Sequence, residues 1–351
     1  MSSYYSPKGF TGFVGAESTV GSTPTGTDVF RAIEADSLPT ITYNDLKTTE
    51  KRANSGLGRL LNSGDIQSHE PGAVHEFSAS GVLTTELADI LIPNSLGIAF
   101  ANGVATIPSK HSPNAYSHAD TSSGAHQSIT CGISGSTVVG ADNDVFLSGC
   151  VIDSLTLSAD ANENGGRFNF DFGAKSRVSA SADFSNVSAN IGDYSENYLY
   201  LSDCTTAKLN GNATIIDSFS LTIENPVSFQ GNKKVVNDQG LPEKYLRSVP
   251  TLKITGSMTV KYDTTTDGLI ASSKNLTVLG QESLSFLNLS SDDTAVGETA
   301  FDATTGFGFS IPAAIVTEAT RDESDYMRLN LSFEVVDRAT AASEFFQILR
   351  G

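Results

Sequence analysis

The chain has 351 residues, 39% of them hydrophobic, 31 glycines, no tryptophan and a formal net charge of −18. That is enough apolar material for one large core or two smaller ones, and too much for a disordered chain. The acidic balance argues against a free nucleic-acid binder, although a surface that DNA slides past without adhering should repel phosphate in just this way.

Residues 1–37 are rich in Gly, Ser and Thr without a clear period, and read as an extended N-terminal arm with a turn at 21–24. Strand patterns follow. Residues 77–83 and 152–157 are two of them, and Phe168, Phe170 and Phe172 alternate with Asn169 and Asp171 as in a half-buried strand. The stretches 216–223, 252–260 and 329–335 continue the series. Helical signal is sparse. Residues 84–91 form the best candidate, with Thr84 or Thr85 as N-cap; 264–271 is a weaker one and 339–349 predicts a short terminal helix.

Two strands carry an echo. Arg167-Phe-Asn-Phe-Asp-Phe172 is repeated as Arg328-Leu-Asn-Leu-Ser-Phe333, and Phe77-Ser-Ala-Ser-Gly81 as Leu252-Lys-Ile-Thr-Gly256. The order is the same in both and the offsets are similar, which predicts a duplicated β-domain. The first domain is expected over 38–204 and the second over 205–351, with 98–148 as a possible outward-facing insertion. Each has a long loop before its glycine-containing strand, at 45–73 and 225–250.

Motifs for chemistry are weak. His69 and His75 do not make the metalloprotease spacing. His111, His118, His126 and Cys131 fall in one Ser/Gly-rich region, but match no zinc pattern, and a solvated loop is the plainer reading. Asp160, Asn162 and Asn164 resemble the front of a calcium loop, yet their neighbours are strands, and a hairpin turn explains Gly165 and Gly166. No nucleophile elbow and no P-loop is present. The expectation is therefore a structural protein, with no catalytic residues, no cofactor and no metal. The three cysteines, Cys131, Cys150 and Cys204, make no disulfide framework and fit synthesis in a reducing host cytoplasm. No signal peptide and no membrane span is expected.

Charge is more informative. Lys47, Lys51, Arg52 and Arg59 lie in the first long loop, and Lys233, Lys234, Lys244 and Arg247 in the second. Together the two loops carry a net charge of +2, from eight basic and six acidic residues, on a strongly acidic chain. They are either ordinary solvated loops, or basic projections from one end of the molecule that dock on an acidic face of a next subunit layer and stack one ring on another.

These residues in this order resemble the tail tube proteins of long-tailed (siphophage-type) bacteriophages, in the larger version with two tube domains per chain. The resemblance rests on Glu17-Ser-Thr-Val-Gly21-Ser-Thr-Pro24, on Ser37-Leu-Pro39 with Asn44-Asp-Leu46, and on 149–157 followed by 168–175. It continues through 218–225, 249–260, 306–312 and 329–336, and so covers nearly the whole chain except 98–148. It implies a mainly β fold of two tandem β-sandwich or barrel domains, each with a short flanking helix. It also implies a virion tail location, self-assembly into stacked rings, and a hollow, acidic conduit for DNA ejection. Tape measure, tail terminator and tail-tip or baseplate proteins are the implied partners. Six tube domains per ring and two per chain make the expected ring a homotrimer with pseudo-sixfold symmetry. The alternatives are another virion β-protein, such as a capsid decoration or tail-tip protein, or a tail-associated carbohydrate-binding module or hydrolase; the absence of tryptophan speaks against the last.

Overall fold

The computed structural model describes residues 9–17, 30–35, 37–42, 48–51, 66–69, 74–97, 104–108, 117–118, 128–135, 145–176, 191–192, 197–230, 244–248, 252–280, 286–291, 307–323, 326–337 and 344–350. The first half begins with β1 (Thr11–Ala16), β2 (Phe30–Ala32) and β3 (Thr40–Thr42). A hairpin of β4 (Thr48–Lys51) and β5 (Ile66–His69) leads to β6 (His75–Val82) and helix α1 (Thr85–Leu96). Then come β7 (Val104–Pro108), β8 (Ser117–His118), β9 (Ile129–Ser134), β10 (Val145–Asp160), β11 (Asn169–Ser176) and β12 (Ile191–Gly192).

The second half follows the same itinerary. It runs β13 (Thr206–Leu209), β14 (Asn212–Ala213) and β15 (Ile216–Glu224), then a hairpin of β16 (Ser228–Gln230) and β17 (Lys244–Ser248). Next are β18 (Lys253–Lys261), α2 (Gly268–Asn275), β19 (Val278–Leu279), β20 (Leu287–Ser290), β21 (Phe307–Ile311), β22 (Ala314–Glu323), β23 (Met327–Val335) and β24 (Glu344–Arg350). Pairings match as well as order. β3 pairs β6, β6 pairs β11 and β11 pairs β10. Correspondingly, β15 pairs β18, β18 pairs β23 and β23 pairs β22. One helix follows β6 and the other follows β18.

The halves join edge to edge. β10 pairs antiparallel with β15, from Ser154 opposite Glu224 to Asp160 opposite Ser218, so one sheet crosses the whole chain. A second layer, β14-β13-β20-β21-β24-β7, is joined across the halves too, through β24 and β7. Alternation explains the packing. Leu155 and Leu157, Phe170 and Phe172, Leu221 and Ile223, Ile254 and Met258, and Leu331 and Phe333 all fall on one face and are buried. That face meets the second layer through Phe168 on Phe307 (5.5 Å), Phe219 on Phe309 (5.2 Å) and Phe286 on Phe333 (5.5 Å). Each such ring contributes about 1.5–3 kcal/mol by leaving water.

Helix α1 starts where Thr84, one of the two N-caps its sequence offers, accepts a hydrogen bond from the Leu87 N–H (3.3 Å). It ends at Gly97, whose φ of 70° lets its N–H reach the Pro93 carbonyl at 2.7 Å. Three expectations need correction. The expected arm contains β1 and β2, with Phe13, Val14 and Phe30 buried in the sheet. Its glycines are not slack: Pro39 lies 2.5 Å from where a side chain at Gly12 would begin. The second helix begins at Gly268, not Thr264, because the Asp263 carboxylate first takes the N–H groups of Thr265 (2.9 Å) and Thr266 (3.1 Å) in a turn. The expected terminal helix is the strand β24. It lies between β21 and β7 with Phe345, Phe346, Gln347 and Ile348 all buried, and a strand buried on both faces shows no clean alternation in sequence.

Candidate functional site: the polar face of the shared sheet

Residues opposite one another across paired strands share a face. One rung of the long sheet reads Ser80, Asp171, Thr156, Thr222, Thr255 and Glu334 from β6 to β23. The next reads Asn169, Ser158, Ser220, Ser257, Ser332 and Glu318, and the third Asp160, Ser218, Thr259, Asn330 and Thr320. All of these face away from the core and are exposed or half-buried. The side chains hold one another, Thr156 to Thr222 at 2.9 Å and Thr259 to Asn330 at 2.8 Å.

These three rungs carry Asp160, Asp171, Glu318 and Glu334, and no cation. The cations of this face, Lys175, Lys253, Lys261 and Arg328, stand on the outer rungs, three of them beside acids. Lys175 pairs with Asp153 and lies opposite Glu76; Lys253 lies opposite Glu224; Arg328 meets Asp217 at 2.8 Å. The face is therefore a band of hydroxyls and amides with fixed negative charge in the middle and neutralised rims. Such a surface holds water and offers phosphate no counter-charge.

The two long loops leave the sheet at one end. β3 and β6 are linked beyond Thr42 and Glu76, and β15 and β18 beyond Glu224 and Lys253; the pairings of β6, β11, β10 and β15 put both at the same end. Each loop holds an antiparallel hairpin, β4 with β5 and β16 with β17. Of the basic residues expected there, Lys51 ends β4, and Lys244 and Arg247 lie on β17, which also pairs with β8. Lys47, Arg52, Arg59, Lys233 and Lys234 lie outside the described residues, as do His111 and His126.

The other sequence candidates resolve into structure. The Asp160 carboxylate accepts from the Asn162 N–H (2.8 Å) in the turn after β10, and Asn164, Gly165 and Gly166 complete that turn with positive φ. Among the described residues no three His, Cys, Asp or Glu side chains gather as a metal site would require. Cys131 is fully buried, and burial raises its pKa well above the ordinary thiol value; burial likewise pushes Cys204 up to about 12. Both are neutral packing groups at physiological pH. One group escaped the sequence reading. The Glu17 carboxylate accepts from Ser128 Oγ (2.5 Å), Thr130 Oγ1 (2.8 Å) and the Gly149 N–H (2.6 Å), tying the end of β1 to β9 and to the bend of β10. Glu17 opens a motif of the resemblance, but this tie is not legible from it, because its partners lie more than a hundred residues away.

The fold and its exposed face define a two-layered, edge-joined β protein whose long sheet shows one apolar face and one hydroxyl-lined, acid-bearing face. Among known families, the model described as phage tail tube protein matches residues 11–335. The chain belongs to that family and is a structural component of the virion tail, in a family whose members assemble with themselves and with other tail proteins. No curated protein matches it. No helix among the described residues is long and apolar enough to cross a membrane.

Proposed function

We propose that this chain is the major tube subunit, carrying two related tube domains in tandem. The first includes β1 and β2 and runs to about residue 204; the second runs from 205 to the end. Three chains supply six such domains and close a pseudo-sixfold ring, and rings stack into a hollow tube. The polar face lines the channel through which double-stranded DNA leaves the virion. The observation that carries this reading is the run of three rungs across both halves with acids and hydroxyls and no cation. DNA binds tightly where cations replace its condensed counterions, and these three rungs offer none, so DNA passes without being held. Stacking falls to the hairpin end of the sheet, which carries Lys51, Lys244 and Arg247; Lys47, Arg52, Arg59, Lys233 and Lys234 belong to the same two loops in sequence and are assigned to the same role. The tape measure, terminator and tail-tip proteins meet the tube at its bore and its two ends.

Negative-stain microscopy of the purified chain over a range of salt concentrations tests the proposal. Hollow tubes with a constant bore are expected. Discrete trimers that never stack would instead mark a decoration or tail-tip protein. Replacing Lys233, Lys234, Lys244 and Arg247 by Gln should slow stacking most at low ionic strength, and a rate indifferent to salt would remove the charge from the stacking account.

A further inference from the structure

Two buried thiols meet at the bend of β10. Cys131 on β9 lies opposite Leu147 on β10, and Cys150 lies opposite Ile129. Between these two pairings β10 carries one residue more than β9, and Gly149 takes up the bulge with a φ of 63°. The extra residue leaves Leu147 and Cys150 on the same face as Cys131, and all three are buried in the large core. Phe146 packs on the other face with Phe13 and Phe30. The bend also turns the Cys150 side chain back along its own strand. Its Sγ donates to the Leu147 carbonyl at 3.3 Å, directly across from Cys131. Besides burial, a hydrogen bond between the two cysteine side chains raises the Cys131 pKa. A thiol is harder to ionise when it donates, so Cys131 donates to the Cys150 sulfur and the two sulfurs touch.

We propose that Cys131 and Cys150 are a latent disulfide, reduced while the chain is made and closed by peroxide once the virion has left the cell. The inference does not depend on the ring reading. The chemistry needs no other reactant. One thiol attacks the peroxide: an S–O bond forms, the O–O bond breaks and water leaves, giving a sulfenic acid. The second sulfur then attacks the first: an S–S bond forms, the S–O bond breaks and a second water leaves. The two sulfurs are oxidised and the peroxide is reduced. Burial and the scarcity of thiolate make the pair slow toward oxidants, which keeps it open through synthesis and assembly in a reducing cytoplasm. Cys204 has no thiol neighbour among the described residues; its Sγ donates to the Tyr200 carbonyl at 3.9 Å.

The bond would act where β10 changes neighbours. Before the bend β10 pairs with β9; beyond it β10 pairs with β11, and with β15 across the seam between the halves. Thr130 faces away from Cys131, and on that side Glu17 already holds the bend through Thr130 Oγ1 and the Gly149 N–H. A disulfide pins the core side of the same bend. The end of β1, β9 and β10 then part only together. Joining residues 131 and 150 also restricts the unfolded chain, so the closed form resists unfolding more than the open one.

Peptide mapping of the unaltered full chain tests the pair. The folded protein is held in dilute hydrogen peroxide, the peroxide is removed with catalase, and the chain is unfolded in guanidinium with an alkylating agent. Of the three cysteines, Cys204 alone should be alkylated, and the peptides carrying Cys131 and Cys150 should be recovered joined until a reductant parts them. The joined pair should exceed any pairing that includes Cys204 by at least about tenfold, because only Cys131 and Cys150 meet the geometry a disulfide requires. The guanidinium midpoint of the treated chain should rise, and dithiothreitol should return it to its starting value. Cys131→Ala, given the same treatment, should show no joined peptide and no such rise; if that variant does not fold, the map of the unaltered chain decides alone. Three alkylated cysteines after a treatment that oxidises the methionines overturn the proposal. So does oxygen added at Cys131 or Cys150 without a bond between them, or a bond to Cys204 or to a second chain. A closed bond that leaves the midpoint unmoved overturns its role as a lock.

Discussion

Helices α1 and α2 occupy equivalent places in the two halves and are held very differently. α1 buries Leu87, Ala88, Leu91, Ile92 and Leu96, has a side-chain N-cap in Thr84, and sends Asn94 into β10, where its Oδ1 accepts the Ile152 N–H at 2.6 Å. α2 buries Leu269 alone and has no side-chain cap. Its N-terminal Asp267 is engaged sideways instead, accepting from the Tyr262 hydroxyl and from Arg321 at 2.9 Å. The difference lies in what each helix touches beyond its own half. α1 sits beside the β10–β15 seam and is finished by the other half of the chain, where the Asn225 side chain donates to the carbonyls of Ser95 (2.8 Å) and Leu96 (3.3 Å). α2 sits beside an open edge, since among the described residues the outer side of β22 is covered only at Ala314 and Ile315, by β19. Equivalent elements thus have unequal stability in the single chain because only one of the two junctions is made inside it.

That comparison can be broken most directly in the core. Phe172→Ala and Phe333→Ala remove equivalent buried rings, and each should cost about 3–5 kcal/mol. Because the seam and the β24–β7 pairing join both layers, either variant should lower a single cooperative transition in guanidinium. Two transitions, with only one of them moved, would show that the halves unfold separately. A smaller effect tests the glycines of the echo. Gly256→Ala drives a methyl into the buried Phe333 ring and to 2.8 Å from the Ser220 carbonyl, and Gly81→Ala drives one to 2.4 Å from the Glu34 carbonyl. Both meet backbone that cannot turn aside, so each should cost about 1–3 kcal/mol, read from the same unfolding curves, and a variant as stable as the parent would show that its strand shifts to make room.

The glycines also show how far the sequence could be read. Their match in sequence is real as a strand pattern, but Gly81 lies opposite Phe170 while Gly256 lies opposite Phe333, the counterpart of Phe172. The echo found the right strands two residues out of step, since alternating residues look alike after a shift of two. Strands with one wet face, such as β11 and β23, were legible from alternation alone, and Thr84 from capping chemistry. β1 and β24 were not, because they are buried on both faces and carry no period. The polar face was written in the sequence as Ser and Thr at every second position. It became a site only when the register laid those positions in rungs, and register between distant strands is not a local property.

The smallest effects fall at the helix starts. Thr84→Ala should cost about 1 kcal/mol through the lost N-cap, and Asp267→Ala much less, since Asp267 caps nothing and its pair with Arg321 is exposed. Thermal melts of the two variants side by side measure the contrast, and equal shifts would deny it. The Asp267 cluster has its own signature in titration. The hydrogen bond to Asp267 raises the pKa of Tyr262 above the ordinary phenol value, with Arg321 opposing, and bonds from Tyr262 and Arg321 lower that of Asp267. The signs fix the pH window. What Asp267 contributes is present above its unfolded pKa and is lost as pH falls through its lowered folded value. What Tyr262 contributes is present below the ordinary phenol pKa and is lost as pH rises through its raised one. Ultraviolet titration should therefore find one tyrosine ionising late, and Asp267→Asn should bring it back toward the ordinary value. If Asp267→Asn leaves that late tyrosine unmoved, the bond from Tyr262 does not hold the start of α2, and the helix beside the open edge rests on the packing of Leu269 and Ile270.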